Sequence, residues 1–307
     1  MKKIKIILII ISITFSYCSK EDQIIVPEVA DPFSEFEAGI IRWDKITGKI
    51  AYKKYNVNEE ITTLFLADKT TRTVRNLGIC TLSNLKWNKA AKEITGTEGN
   101  SLQAYDLNGN HYELDVPSAF HYKYYDWLPD GRITHISYLG QLYIEDSKII
   151  DEKFNAQGMA CSPDGKKIVV SNRDNDTTAQ LIEIDIATGE KRILITESDD
   201  SLRQIFYLEP VYSPNSEKVL FVRHYEGPFG FPSYDLYITP IISFISQGFR
   251  PNPDWAPDGG RVIWSSVHIC LFGCDDSDFY SEIYIMTVNG DNSGIAIPRG
   301  SNPLWIE

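Results

Sequence analysis

Residues 162–172 read "SPDGKKIVVSN". Pro163 presets φ for the first corner of a turn, Asp164 can bond its own backbone, and Gly165 tolerates positive φ. Ile168, Val169 and Val170 then start a β-strand. On its own this is one hairpin; its weight comes from recurrence, so the chain is compared with itself before any local structure is assigned.

Aligned on the residue before the turn, the same order returns as "IIRWDKITGKIAYKK" at Trp43, "NLKWNKAAKEITGT" at Trp87 and "YDWLPDGRITHIS" at Trp127. It continues as "MACSPDGKKIVVSN" at Cys161, "PVYSPNSEKVLFVR" at Tyr212 and "PDWAPDGGRVIWSS" at Trp255, and a seventh start, "NPLWIE", stands at Trp305. The intervals are 44, 40, 34, 51, 43 and 50 residues. Within each, a strand follows the turn ("KKIVVS", "EKVLFVR", "GRVIWSS"). A second strand ends in or near an acid ("TLFLAD", "LQAYD", "QLIEID"), a tight turn such as "ATGEK" or "LNGN" comes next, and a further strand leads to the next start. With the short strand that ends in the aromatic, each unit has four antiparallel strands. Four strands recurring about every 40–45 residues mark a β-propeller blade.

The expected fold is therefore all-β: a six-bladed propeller of four-stranded antiparallel blades, with "NPLW" closing the ring beside the first blade. Seven blades would need strands that the N-terminal segment can hardly supply. A blade cannot bury its faces alone, so the aromatic before each turn is read as packing between blades, with Cys161 the small exception.

Composition agrees with a large folded domain. Of 307 residues, 43% are hydrophobic and 23% charged, with a formal net charge of −12. No Lys/Arg-rich run follows the first few residues, which excludes nucleic acid as an expected partner.

The start, "MKKIKIILIIISITFSYCSKED", has a basic segment (Lys2, Lys3, Lys5) and an apolar core from Ile4 to Phe15, the layout of an export signal. A cysteine at its end resembles a bacterial lipoprotein cleavage site with Cys18 lipidated, although Tyr17 stands where a small residue is usual. "CSKED" resembles the surface-export signal of Bacteroidetes-type lipoproteins. The expected domains are a signal peptide over 1–17, a lipidated cysteine and flexible tether over 18–38, and the propeller over 39–307. The resemblance implies an outer-membrane lipoprotein, facing the periplasm or the cell surface and held to the membrane through Cys18.

"W-x-P-D-G" preceded by "N-P-x" or "E-P-x", and followed by a strand and "IY-x-M", resembles the repeats of TolB-type six-bladed propellers. The motifs are specific in the last four units and degenerate in the first two. The resemblance implies a non-catalytic binding or scaffold role in the envelope, with a protein or glycan partner and no cofactor or metal. Related propellers in prolyl oligopeptidases accompany a hydrolase domain, and no "GxSxG" elbow occurs in this chain.

Two rivals remain. One is a metal-dependent carbohydrate-active lyase: the five histidines are His111, His121, His135, His224 and His268, and His224 and His268 follow equivalent strands of the fifth and sixth units. The other is an accessory subunit of an outer-membrane uptake or secretion complex. The expected partner-binding loops are "RHYEGPFGFPSYD" (223–235), carrying Arg223, His224, Tyr225, Phe229, Phe231 and Tyr234, and "VHICLFGCDDSDFYS" (267–281), carrying His268, Phe272, Phe279 and Tyr280. Both exceed the usual connection length, and long loops tend to be functional. Cys270 and Cys274 in the second are expected to form a disulfide in an oxidising envelope. Cys80 and Cys161 have no near partner in sequence, and acidic runs such as "CDDSDF" complete no calcium loop.

Overall fold

The computed structural model describes residues 41–56, 59–116, 122–175, 177–200, 204–226, 232–239, 242–245, 252–268, 280–291 and 294–306. These residues form six four-stranded antiparallel sheets and no helix. Blade 1 joins the two ends of the propeller: β1 (Lys49–Asn56), β2 (Ile61–Asp68) and β3 (Thr73–Ile79) are completed on the inner edge by β24 (Ser301–Trp305). Blade 2 is β4 (Ser83–Asn88), β5 (Glu93–Glu98), β6 (Ser101–Asp106) and β7 (His111–Glu113). Blade 3 is β8 (Tyr122–Trp127), β9 (Ile133–Ser137), β10 (Leu142–Ile144) and β11 (Ser147–Lys148). Blade 4 is β12 (Ala156–Cys161), β13 (Lys167–Asp174), β14 (Thr178–Asp185) and β15 (Lys191–Ser198). Blade 5 is β16 (Gln204–Tyr212), β17 (Val219–Glu226), β18 (Pro232–Ile238) and β19 (Ile242–Ile245). Blade 6 is β20 (Asp254–Trp255), β21 (Arg261–His268), β22 (Tyr280–Thr287) and β23 (Gly294–Ile297).

The repeat aligned in the sequence is a repeat of register. Trp87 faces Ile94, Trp127 faces Ile133, Cys161 faces Ile168, Tyr212 faces Val219 and Trp255 faces Val262. In blade 1 the partner of Ile50 is Trp305, not Trp43. Trp43 has the right spacing, but the C-terminal strand occupies its place. It lies in the turn before β1 and packs in the same apolar cluster as Trp305.

Six apolar clusters sit at the six junctions between blades. One joins blades 6 and 1 around Ile50, Ile283 and Trp305; another joins blades 3 and 4 around Leu142, Met159 and Ile168. The cluster between blades 2 and 3 holds only three fully buried members, Leu102, Tyr125 and Ile133. Each sheet therefore lends one face to each neighbour, as a propeller requires.

The turns interlock as well. In the P-D-G turns Asp130, Asp164 and Asp258 accept the backbone N–H two residues on, while the Gly N–H closes the turn onto Leu128, Ser162 or Ala256. Gly165, at φ +71°, abuts Pro129 of the preceding blade, where an added Cβ would lie 3.4 Å from Pro129 Cδ. In blade 5 Ser216 takes this position at φ +61°, and its hydroxyl accepts the Asp164 N–H of blade 4. The acids that end the third strands, Asp68, Asp106 and Asp185, cap the outer hairpins through backbone N–H groups.

Ring closure is non-covalent. The Ile306 N–H bonds the Lys49 carbonyl at 2.8 Å, the Trp305 indole donates to the Thr47 carbonyl, and the Trp305 N–H bonds Asp254 Oδ2 at 2.6 Å. Burial pushes the Asp254 carboxyl up to about 7, against the pull of two backbone N–H groups and the Lys86 charge. A carboxyl raised in the folded state contributes stability below its ordinary value near 4 and loses it as pH rises to about 7. Asp254→Asn keeps an acceptor for Trp305 and cannot titrate. The fall in melting temperature of the wild type between pH 5 and pH 7.5 is expected to shrink in this variant; an unchanged fall would contradict the assignment.

Candidate binding face and central channel

Chain direction sorts every connection onto one of two faces. Inner strands run toward the face with the P-D-G turns and outer hairpins. The connections after the second and fourth strands of each blade lie on the opposite face, called here the loop face. The strand ends that flank the two long segments singled out from the sequence, in β17 and β18 and in β21 and β22, lie at it.

Strands extend further into both segments than the sequence suggests. Arg223, His224 and Tyr225 lie in β17, and Tyr234 lies in β18 opposite His224. His268 closes β21 and Tyr280 opens β22. Phe229, Phe231, Phe272, Phe279, Cys270 and Cys274 fall outside the described residues, as do Cys18 and the tether. His224 and His268 are not at equivalent places: counted from the paired residues Val219 and Val262, they differ by one register position.

Among the described members of the first segment, His224 faces inward and Arg223, Tyr225 and Tyr234 are half-buried, while Glu226 is exposed. His224 is 7% exposed, stacked on Tyr234 at 4.4 Å and tilted against Phe206 at 5.6 Å. Its Nδ1 lies 3.3 Å from the Ser233 carbonyl and its Nε2 3.4 Å from Glu226. Arg223 grips Glu197 through two hydrogen bonds, at 2.9 and 2.6 Å, and Tyr207 donates to the same carboxylate. Hydrogen bonding to Glu197 raises the Arg223 guanidinium further above its ordinary value. Arg173 pairs with Asp199 and lies over the Phe206 ring at 4.3 Å. These contacts fasten the blade 4 to blade 5 connection. Among the described residues no three His, Cys, Asp or Glu side chains converge as a metal site requires.

The loop face has two properties that the sequence reading missed. Large apolar side chains stand exposed on it: Tyr55 at 52%, Ile79 at 62%, and Tyr138 and Leu139 at 63% and 68% on the hairpin between β9 and β10. The hairpin is fixed by Gly140, at φ +80°, where a Cβ would lie 2.3 Å from the Phe154 carbonyl oxygen. Exposed acids share this face: Glu59, Glu60, Glu98, Glu113, Asp115, Asp174, Asp200 and Glu226. Lys54, Lys153 and Arg299 oppose them, since Arg173 and Arg223 are already ion-paired. The other face mixes signs, with Arg132 on Asp130 and Arg42 on Asp44. Among the described residues, the excess negative charge thus gathers on the loop face. "SYLGQL" was the legible signal for Tyr138 and Leu139, a turn with its apolar pair at the tip.

The six inner strands enclose a channel of about 460 Å³. Asp126 and Asp254, each just before a Trp, bridge to the next blade. Asp126 accepts the Trp127 and Cys161 N–H groups at 2.9 and 2.8 Å, and Asp254 accepts those of Trp255 and Trp305. The repeat aromatics are also tied backwards: Trp127 Nε1 donates to Thr95 at 2.8 Å, and Cys161 Sγ meets Thr134 at 2.9 Å. Ala51 stands at the equivalent place before Trp87, whose buried Nε1 has no hydrogen-bond partner among the described residues.

With this geometry in hand the chain can be set beside known structures. No protein-family profile matches the sequence, and no curated protein is significantly similar to it. Among solved structures it resembles TolB from Acinetobacter baumannii at a TM-score of 0.63 and 17% identity, covering 84% of this chain and 66% of that one. A TolB candidate from Agrobacterium tumefaciens matches at a TM-score of 0.53 and 15% identity, over 84% of this chain and 92% of that one. The fold is a TolB-like six-bladed propeller. At such identities the likeness concerns the fold.

The two inner-strand tryptophans offer a test of the interblade ties. Trp127→Phe is expected to cost about 1 kcal/mol more than Trp87→Phe, because only Trp127 loses a hydrogen bond. Denaturant unfolding of the two variants measures the difference; equal costs would contradict the assignment.

Proposed function

We propose that this chain is a non-catalytic binding propeller of the bacterial cell envelope, held at the outer membrane through a lipidated Cys18 and recognising a protein partner through its loop face. The observation that carries the reading is the concentration on one face of exposed Tyr55, Ile79, Tyr138 and Leu139 within a field of acids. Exposed apolar side chains on a face that also carries loops mark a surface suited to a partner, and an aromatic or aliphatic anchor ringed by polar groups is the usual make-up of a recognition surface. The acids would speed association with a cationic partner and make it sensitive to salt. The strands that flank the long segments 223–235 and 267–281 end on the same face. The lyase alternative loses support, because both ring nitrogens of His224 face acceptors within its own blade.

Site-specific photo-crosslinking in the native envelope tests the reading. A crosslinker at position 138 or 139 is expected to give a discrete protein adduct, and one at Pro163 or Pro257 on the opposite face is not. Tyr138→Ala with Leu139→Ala is expected to weaken the association about tenfold or more. Adducts from the opposite face alone would overturn the assignment.

A further inference from the structure

The channel poses a separate question, because its charged groups are unequally engaged. Four charged side chains line it among the described residues: Lys86, Asp126, Glu209 and Asp254. All four oxygens of the two aspartates accept backbone N–H groups. Glu209 Oε1 accepts the Asn252 amide at 3.1 Å, and its Oε2 is buried. The acids are structural. Lys86 occupies the register position of Asp126 and Asp254 in its own blade, one residue before Trp87, yet no equivalent bridge forms there.

The Lys86 ammonium makes no hydrogen bond or ion pair with any described residue, although the side chain is half-buried. An ammonium has three donors, and partial burial without acceptors is costly. The cavity beside it falls in the range of small-molecule sites. Leu85, Met159, Leu208 and Val211 give the wall apolar surface, and Asn84, Gln157, Asn252 and Asn302 with Tyr124 give it polar points. Lys86 is the one cation among three acids, and burial pushes Asp254 up to about 7, so that near neutral pH it is partly protonated; a single carboxylate then finds one cationic partner, whereas a dianion would meet net repulsion.

We propose that the channel is a binding site for a small monocarboxylate, whose carboxylate pairs with Lys86 while its uncharged body lies against the apolar wall. The site is independent of the loop face, so either reading can fail without the other.

Calorimetric titration of the intact protein tests it, with glucuronate and 4-methylpentanoate as probes and glucose and 4-methylpentanol as their uncharged counterparts. At least one carboxylate is expected to bind saturably, about tenfold or more tighter than its counterpart, with a change in tryptophan fluorescence from the adjacent Trp87. Lys86→Met and Lys86→Gln are expected to lose that preference, and Lys86→Arg to retain it within a few-fold. Variant melting curves separate loss of binding from loss of fold. Absence of binding by both carboxylates up to about 10 mM, or unchanged binding in a folded Lys86→Met or Lys86→Gln protein, overturns the proposal.

Discussion

A four-stranded blade with two apolar faces cannot be stable alone, and every other feature of this chain follows from the need to sandwich six of them. The energy of the fold resides in the six clusters between blades, not in one central core. A ring built this way has a weak point where its ends meet. Here the chain crosses it with β24, which hands the sixth blade's partner surface to the first and is held by Asp254 and Thr47.

The same requirement explains the repeat motif. Gly in the P-D-G turn is favoured because the position takes positive φ, between +68° and +89°, and Ser216 adopts the same conformation at +61° with its hydroxyl bonded to the neighbouring turn. Asp before Trp is needed where an inner strand must be tied to the next. The positions that break the pattern are the informative ones: Ala51 leaves the Trp87 indole without its acceptor, and Lys86 places an ammonium where two other blades carry a bridging carboxylate.

Fold and strand order were legible because blades repeat, and repetition multiplies weak local signals until spacing alone separates strand from turn. The repeat also misled at Trp43, whose sequence context is right but whose place is taken by a strand more than 250 residues away in the chain. The binding face was only partly legible. Loop length pointed to 223–235, yet Arg223, His224 and Tyr225 proved to be strand residues, with Arg223 on Glu197 and His224 against Ser233 and Glu226. Tyr138 and Leu139 sit in a short hairpin that no length criterion selects. Which acids share a face depends on chain direction through all six blades, and single-chain composition gives only their sum.

Hydrogen exchange resolved by strand on the intact protein tests most directly the claim that the blades form one closed, cooperative ring. If closure is as described, the amides of β24 and β1 exchange as slowly as those of the inner strands of blades 3 and 4, all governed by global unfolding. Fast, independent exchange of β24 while the remaining inner strands stay protected would show that the ring is open at the blade 6 to blade 1 junction and would contradict the account.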